Sequence, residues 1–144
     1  MNDCCAHPSP DRTPPKTAVC PRNGHSYAGV AMRTVLHQVR QPWTRDLTKQ
    51  AYYFCDDPDC DVVYFGDDQS LLMRDDLRNT VGQKSKAPGK TLCYCFDIDT
   101  TALLTREAER QARAFVIEQT KHANCDCEIR NPSGRCCLKS FPKD

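Results

Sequence analysis

Eleven cysteines in 144 residues are what most limits how this chain can fold. At that share cysteines begin to replace the hydrophobic core as the framework of a small protein. Their spacing says which kind of framework. Cys93-Tyr94-Cys95, Cys125-Asp126-Cys127 and Cys136-Cys137 are close doublets. Partners that near in sequence do not bridge each other in relaxed disulfide geometry, but they can aim two thiolates at one metal or cluster. The count is odd, so disulfides would leave at least one thiol over. The start, Met1-Asn2-Asp3-Cys4-Cys5-Ala6-His7-Pro8, has neither a basic stretch nor an apolar one, so it does not read as an export signal. The expected compartment is therefore the reducing cytoplasm, where thiols bind metals more readily than they pair.

Charge and hydropathy exclude other classes. Twenty Lys and Arg face nineteen Asp and Glu, a formal net charge of +1. No basic excess or stripe of interleaved aromatics is present to hold nucleic acid. No run approaches the roughly 20 apolar residues of a membrane span. Ordinary catalysis finds little support, because the chain has no Gly-rich phosphate loop and no H-E-x-x-H. The sequence points to a metal-binding protein that is not an enzyme in the usual sense. Asp56, Asp57, Asp59 and Asp61 read as a solvated hairpin tip. Lys84, Lys86 and Lys90 read as linker charges that could dock an acidic redox partner.

The chain divides into three stretches. Residues 1–18 form a Pro-rich arm carrying Cys4, Cys5 and His7. Residues 19–90 read as short strands and turns. Tyr52–Cys55 and Val62–Phe65 form a hairpin across Asp56-Asp57-Pro58-Asp59, and Thr34 is expected to cap a short helix reaching Arg40. Gln83–Lys90 reads as a linker. Residues 91–144 open on Cys93 and continue as helix from about Asp99 to Lys121. Leu104, Ala108, Ala112, Phe115 and Gln119 share a face, in one helix or in two meeting near Gln111. Asn131-Pro132-Ser133-Gly134 is a turn leading into Cys136-Cys137. The fold class expected is α+β, in two small metal-stapled lobes: a zinc-ribbon-like hairpin lobe and a helical cluster-binding lobe.

Two metal constellations follow. Four residues lie between Cys20 and His25, and four between Cys55 and Cys60. Together they can form a Cys3His tetrahedron for Zn2+, with Cys4, Cys5, His7 and His37 as rival fourth ligands. In the second stretch, Cys93 and Cys95 with one cysteine from each later doublet match the four thiolates of a [2Fe–2S] cluster. Spacing leaves a second zinc site open as an alternative. The Asn131–Gly134 turn is expected to bring backbone N–H groups near sulfur.

The order Tyr53-Phe54-Cys55, Cys60-Asp61-Val62-Val63-Tyr64-Phe65, Cys93-Tyr94-Cys95-Phe96, Cys127, Asn131-Pro132-Ser133-Gly134-Arg135-Cys136-Cys137 resembles the zinc and [2Fe–2S] N-terminal domain of the CopZ copper-chaperone family. The resemblance runs from about Cys20 to Leu138. The second half is also similar to the domain of bacterioferritin-associated ferredoxin. The resemblance implies Cys93, Cys95, Cys127 and Cys137 as cluster ligands, with Cys136 the alternative to Cys137 and Cys125 a neighbour. It implies Cys20, Cys55 and Cys60 on zinc. The family often shows C-P-x-C at the first knuckle. Here Asn23 takes that place, which leaves the fourth ligand to His25, Cys4 or Cys5. No C-x-x-C occurs in the 144 residues, so a stand-alone form without the copper-carrying domain is expected.

Three functions are compatible with these features. The first is one-electron transfer or metal-ion reduction in copper or heavy-metal handling, with a redox or metal-trafficking protein as partner. In the second, the Cys4-Cys5-Ala6-His7 arm captures a soft ion such as Cu(I) or Hg(II). The third is a zinc-only interaction or regulatory protein.

Overall fold

A computed structural model describes residues 14–141. Cys4, Cys5 and His7, the arm residues singled out in the sequence, lie outside the described residues. The first half is an antiparallel sheet in the order β1-β2-β3-β4-β5. Its strands are β1 (Thr17–Val19), β2 (Ser26–Val30), β3 (Tyr52–Phe54), β4 (Val62–Gly66) and β5 (Leu71–Met73). Helix α1 (Met32–Gln38) crosses between β2 and β3. Each strand pairs with the next in sequence, so β1 and β3 run the same way. Their C-terminal ends, and the loops that follow them, therefore lie at the same end of the sheet.

Alternation along the strands decides which side chains face α1 and which face the cysteines. Tyr52 and Phe54 pack under α1 with Val35, Val39, Leu72 and Leu77. Tyr53 and Cys55 point the other way, into a cluster with Cys20, Cys60, Val62 and Phe65. In β4 the register shifts between Val62 and Tyr64. This bulge puts Val63 and Tyr64 both on the α1 side and returns Phe65 to the cysteine side. There Phe65 stacks on Tyr53 with ring centroids 5.4 Å apart.

The second half has a two-stranded sheet, β6 (Thr91–Cys93) with β7 (Ile98–Asp99), then α2 (Arg106–Lys121) and the single-turn α3 (Cys127–Arg130). The helical pattern expected from about Asp99 to Lys121 is broken earlier than Gln111. A 3-10 turn covers Thr100–Leu103, and Thr105 caps α2, its hydroxyl accepting from the Ala108 N–H at 3.0 Å. Side-chain capping makes Thr105 a better start than any residue inside the helix. The buried face is also rotated from the expected one. Val116 is the residue of α2 that is buried, in a cluster with Leu92, Cys93, Cys137 and Phe141, while Leu104 and Phe115 are exposed.

Thr34 is likewise not a cap. Helix α1 starts after Ala31, and the fully buried Thr34 hydroxyl donates to the Glu128 carbonyl at 2.5 Å. Gln38 donates from the same helix to the carbonyls of Ile129 and Arg130, at 2.7 and 3.0 Å. Tyr64, buried in β4, donates its hydroxyl to the Pro132 carbonyl. The two halves are joined by these bonds from α1 and β4 to α3 and the turn after it. No helix among the described residues is long and apolar enough to cross a membrane.

Candidate metal centres

The first centre is built at the shared end of the sheet. After β1 the chain turns through Cys20–His25. The Cys20 N–H donates to the His25 carbonyl at 2.8 Å, and the Gly24 N–H to the Cys20 carbonyl at 3.0 Å. Gly24 takes φ +78°, a left-handed conformation that glycine tolerates without strain. After β3, the Cys55–Cys60 loop is closed by the Cys60 N–H donating to the Asp57 carbonyl at 3.1 Å. The sulfurs of Cys20, Cys55 and Cys60 converge within 4.8 Å of one another, all buried. Cys20 and Cys60 stand 4.0 Å apart, close to the about 3.8 Å between two thiolates on a tetrahedral zinc. Three buried sulfurs converging within 4.8 Å of one another fit Zn2+.

The His25 ring is exposed and does not join this group. Its backbone does the local work, closing the Cys20 loop and donating its N–H to the Asn23 side-chain oxygen at 2.9 Å. His37 is exposed on α1. Asn23, at the position where the family often has a cysteine, reaches the centre as a donor. Its Nδ2 lies 3.4 Å from the Cys55 sulfur, 2.9 Å from the Tyr27 hydroxyl and 3.2 Å from an Asp57 carboxylate oxygen.

Lys84 is a further member that sequence reasoning missed. Read as a solvated linker charge, it is only 2% exposed. It lies in a 3-10 turn, Gly82–Lys84, and its ammonium points at the Cys55–Cys60 loop. No periodic or spacing signal marks it, because only the tertiary fold brings residue 84 to residue 55. Burial pushes the Cys55 thiol up, but the Asp57 N–H and the Lys84 ammonium outweigh it and the net shift is down. Cys60 shifts up, through burial above all and then through the neighbouring Cys55 and Cys20.

The second centre gathers Cys93, Cys95, Cys127 and Cys137. Cys95 and Cys127 stand 3.6 Å apart. Cys93 and Cys137 pack together in one buried cluster with Leu92, Val116 and Phe141. That contact, more than the backbone N–H groups of Phe96 and Cys95, holds Cys93 down at about 6 against the rise from burial. The same contact, with burial, pushes Cys137 far up. Burial and the facing Cys95 raise Cys127 to about 12. Of the adjacent cysteines, Cys137 is buried in this group and Cys136 is half-buried beside it. Cys125 is also half-buried, close enough to Cys127 to be felt by its charge. No three of these four thiols come within 4.8 Å of one another as those of the first centre do, so the second half is a looser set of candidate ligands.

The Asn131–Gly134 turn forms but does not aim its N–H groups at sulfur. Those of Ser133, Gly134 and Arg135 are spent within the turn itself. An N–H that does reach sulfur from this end of the chain is that of Asp126, 3.0 Å from Cys95.

Comparison with known proteins places these features. A family model described as a zinc-binding domain, zf_CopZ, matches residues 17–78. The X-ray structure of the Archaeoglobus fulgidus CopZ N-terminal domain superposes with a TM-score of 0.66 at 31% identity, covering 88% of this chain and all of that one. The chain belongs to the CopZ family. The copper chaperone CopZ of the same archaeon is 36% identical over 90 residues, 62% of this chain. The match spans 43% of that relative's length. As a member of this zinc-binding family, the chain is a small α+β protein whose three buried cysteines form a candidate metal site.

Proposed function

We propose that the chain is a zinc and iron–sulfur protein for one-electron transfer or metal-ion reduction in copper or heavy-metal handling. Cys20, Cys55 and Cys60 hold Zn2+, with the fourth position taken by Cys4 or Cys5, or by His25 once its exposed ring turns inward on metal binding. Cys93, Cys95, Cys127 and Cys137 hold a [2Fe–2S] cluster, which supplies reversible one-electron chemistry when bound. The single observation that carries this reading is that Cys95 stands 3.6 Å from Cys127 and packs against the buried cluster that holds Cys93 and Cys137. The Asp126 N–H on Cys95 supports it, since such donors stabilise charge on cluster sulfurs. Burial of Val116 and Phe141 against Cys93 and Cys137 keeps water from this side of the group. The relative named as a copper chaperone makes copper the first candidate for the metal handled and a redox or metal-trafficking protein the candidate partner. Mercury is a second soft ion to try.

Purification without oxygen, followed by metal and acid-labile sulfide analysis and an absorption spectrum, tests the proposal. About two irons, two sulfides and one zinc per chain are expected. Zinc alone, with no visible absorption, would replace it with a zinc-only interaction protein.

A further inference from the structure

Lys84 poses a physical problem whose solution lies in the first metal centre. An ammonium that is 98% buried is costly unless an anion faces it. Among the described residues, none of the ion pairs includes Lys84. Its three N–H groups instead go to three acceptors in one loop: the Cys55 sulfur at 3.3 Å, the Asp57 carbonyl at 2.9 Å and the Cys60 carbonyl at 2.9 Å. An ammonium has three donors, so this set uses all of them. Of the three acceptors, the sulfur is the one that can carry a full negative charge.

We propose that Lys84 is a positioning residue of the Cys20–Cys55–Cys60 centre. It holds the Cys55–Cys60 loop in the ligating shape and offsets the charge of the bound thiolates. The charge count supports this. Three thiolates around a divalent ion leave one net negative charge, and one buried ammonium cancels it. A neutral fourth ligand keeps the centre neutral, whereas a fourth thiolate would leave it negative again. The three bonds together tie Cys55 to Cys60, since they reach the start, the middle and the end of the loop. The turn that carries Lys84 is anchored on its far side to the second centre. Gln83 donates to the Asn131 side chain at 2.8 Å and accepts from the Tyr94 hydroxyl at 2.9 Å, and Tyr94 lies between Cys93 and Cys95. Lys84 is thus held in place from outside the loop it serves.

The inference rests on the reading of these three cysteines as a zinc site, and the test separates the two. Full-length protein is loaded with zinc and titrated with a competing chelator, as wild type, Lys84→Met and Lys84→Gln, with circular dichroism checking the fold. Wild type is expected to hold one zinc. Lys84→Met is expected to lose about ten- to a hundredfold in affinity, the range for removing a hydrogen-bonding partner of a metal ligand. Lys84→Gln, which keeps donors but no charge, is expected to fall between. Wild type without zinc would sink the site itself. Wild type with zinc and folded variants of unchanged affinity would sink only the role of Lys84. Should neither variant fold, wild type loaded with 113Cd decides. A scalar correlation from cadmium to the Lys84 ammonium protons through the Cys55 sulfur supports the proposal, and its absence overturns it.

Discussion

At the scale of single residues, adjacent or similar side chains are separated by where they point. Cys136 and Cys137 are equal in the sequence. In the fold Cys137 is 1% exposed and meets Cys93, while Cys136 is half-buried beside it. Cys137→Ser is therefore expected to abolish the visible absorption and iron content of the anaerobically purified protein, and Cys136→Ser to leave both close to wild type. The opposite result would exchange the two roles. Gly82 shows the same dependence on place. A Cβ there would stand 2.3 Å from the Thr91 carbonyl oxygen and 2.8 Å from the Tyr94 hydroxyl. Its N–H also donates to that hydroxyl at 2.6 Å. The absence of a side chain lets the Lys84 turn lie against β6. The sequence marks Gly82 only as a residue that favours turns.

Among the elements, the β3–β4 hairpin was legible, and the other strands and the helices less so. Tyr52–Cys55 and Val62–Phe65 are aromatic and β-branched runs around turn residues, and they form the hairpin β3–β4. Strict alternation would still misplace Tyr64 and Phe65, because the bulge after Val62 shifts them by one residue. Nothing local in Val62-Val63-Tyr64 announces a bulge. In the second half, a face of alanines gives a weak helical period, and the true buried face centres on Val116, one residue beyond the expected Phe115. What places the helix is its start. Thr105→Ala removes the side-chain cap on the Ala108 N–H, and should lower stability by about 1 kcal/mol in chemical denaturation. A change within experimental error would mean that packing of Val116, not the cap, positions α2.

For the whole molecule, the feature that matters is how one half is bonded to the other. Thr34 and Gln38 of α1 satisfy the carbonyls of Glu128, Ile129 and Arg130, and Tyr64 satisfies that of Pro132. Burial pushes the Tyr64 phenol up, so it stays a donor across the ordinary pH range. Tyr64→Phe leaves the Pro132 carbonyl buried without this partner and should cost about 1–3 kcal/mol. With the proposed cluster bound, denaturation followed separately by tyrosine fluorescence and by visible absorption is expected to move both transitions together. Movement of only one would show that the halves unfold independently. The cysteine spacing alone determined the two groups of candidate ligands, because ligand type and local loop length are properties of the chain. The strand pattern alone determined that Cys55 shares a face with Tyr53, because alternation has a period of two. Only the tertiary structure decided that Cys137 rather than Cys136 meets Cys93, that the His25 ring stays apart from the three sulfurs, and that Lys84 is buried on Cys55. Each of those depends on contacts between residues 29 to 44 positions apart, or on a side chain's direction, which no local pattern encodes.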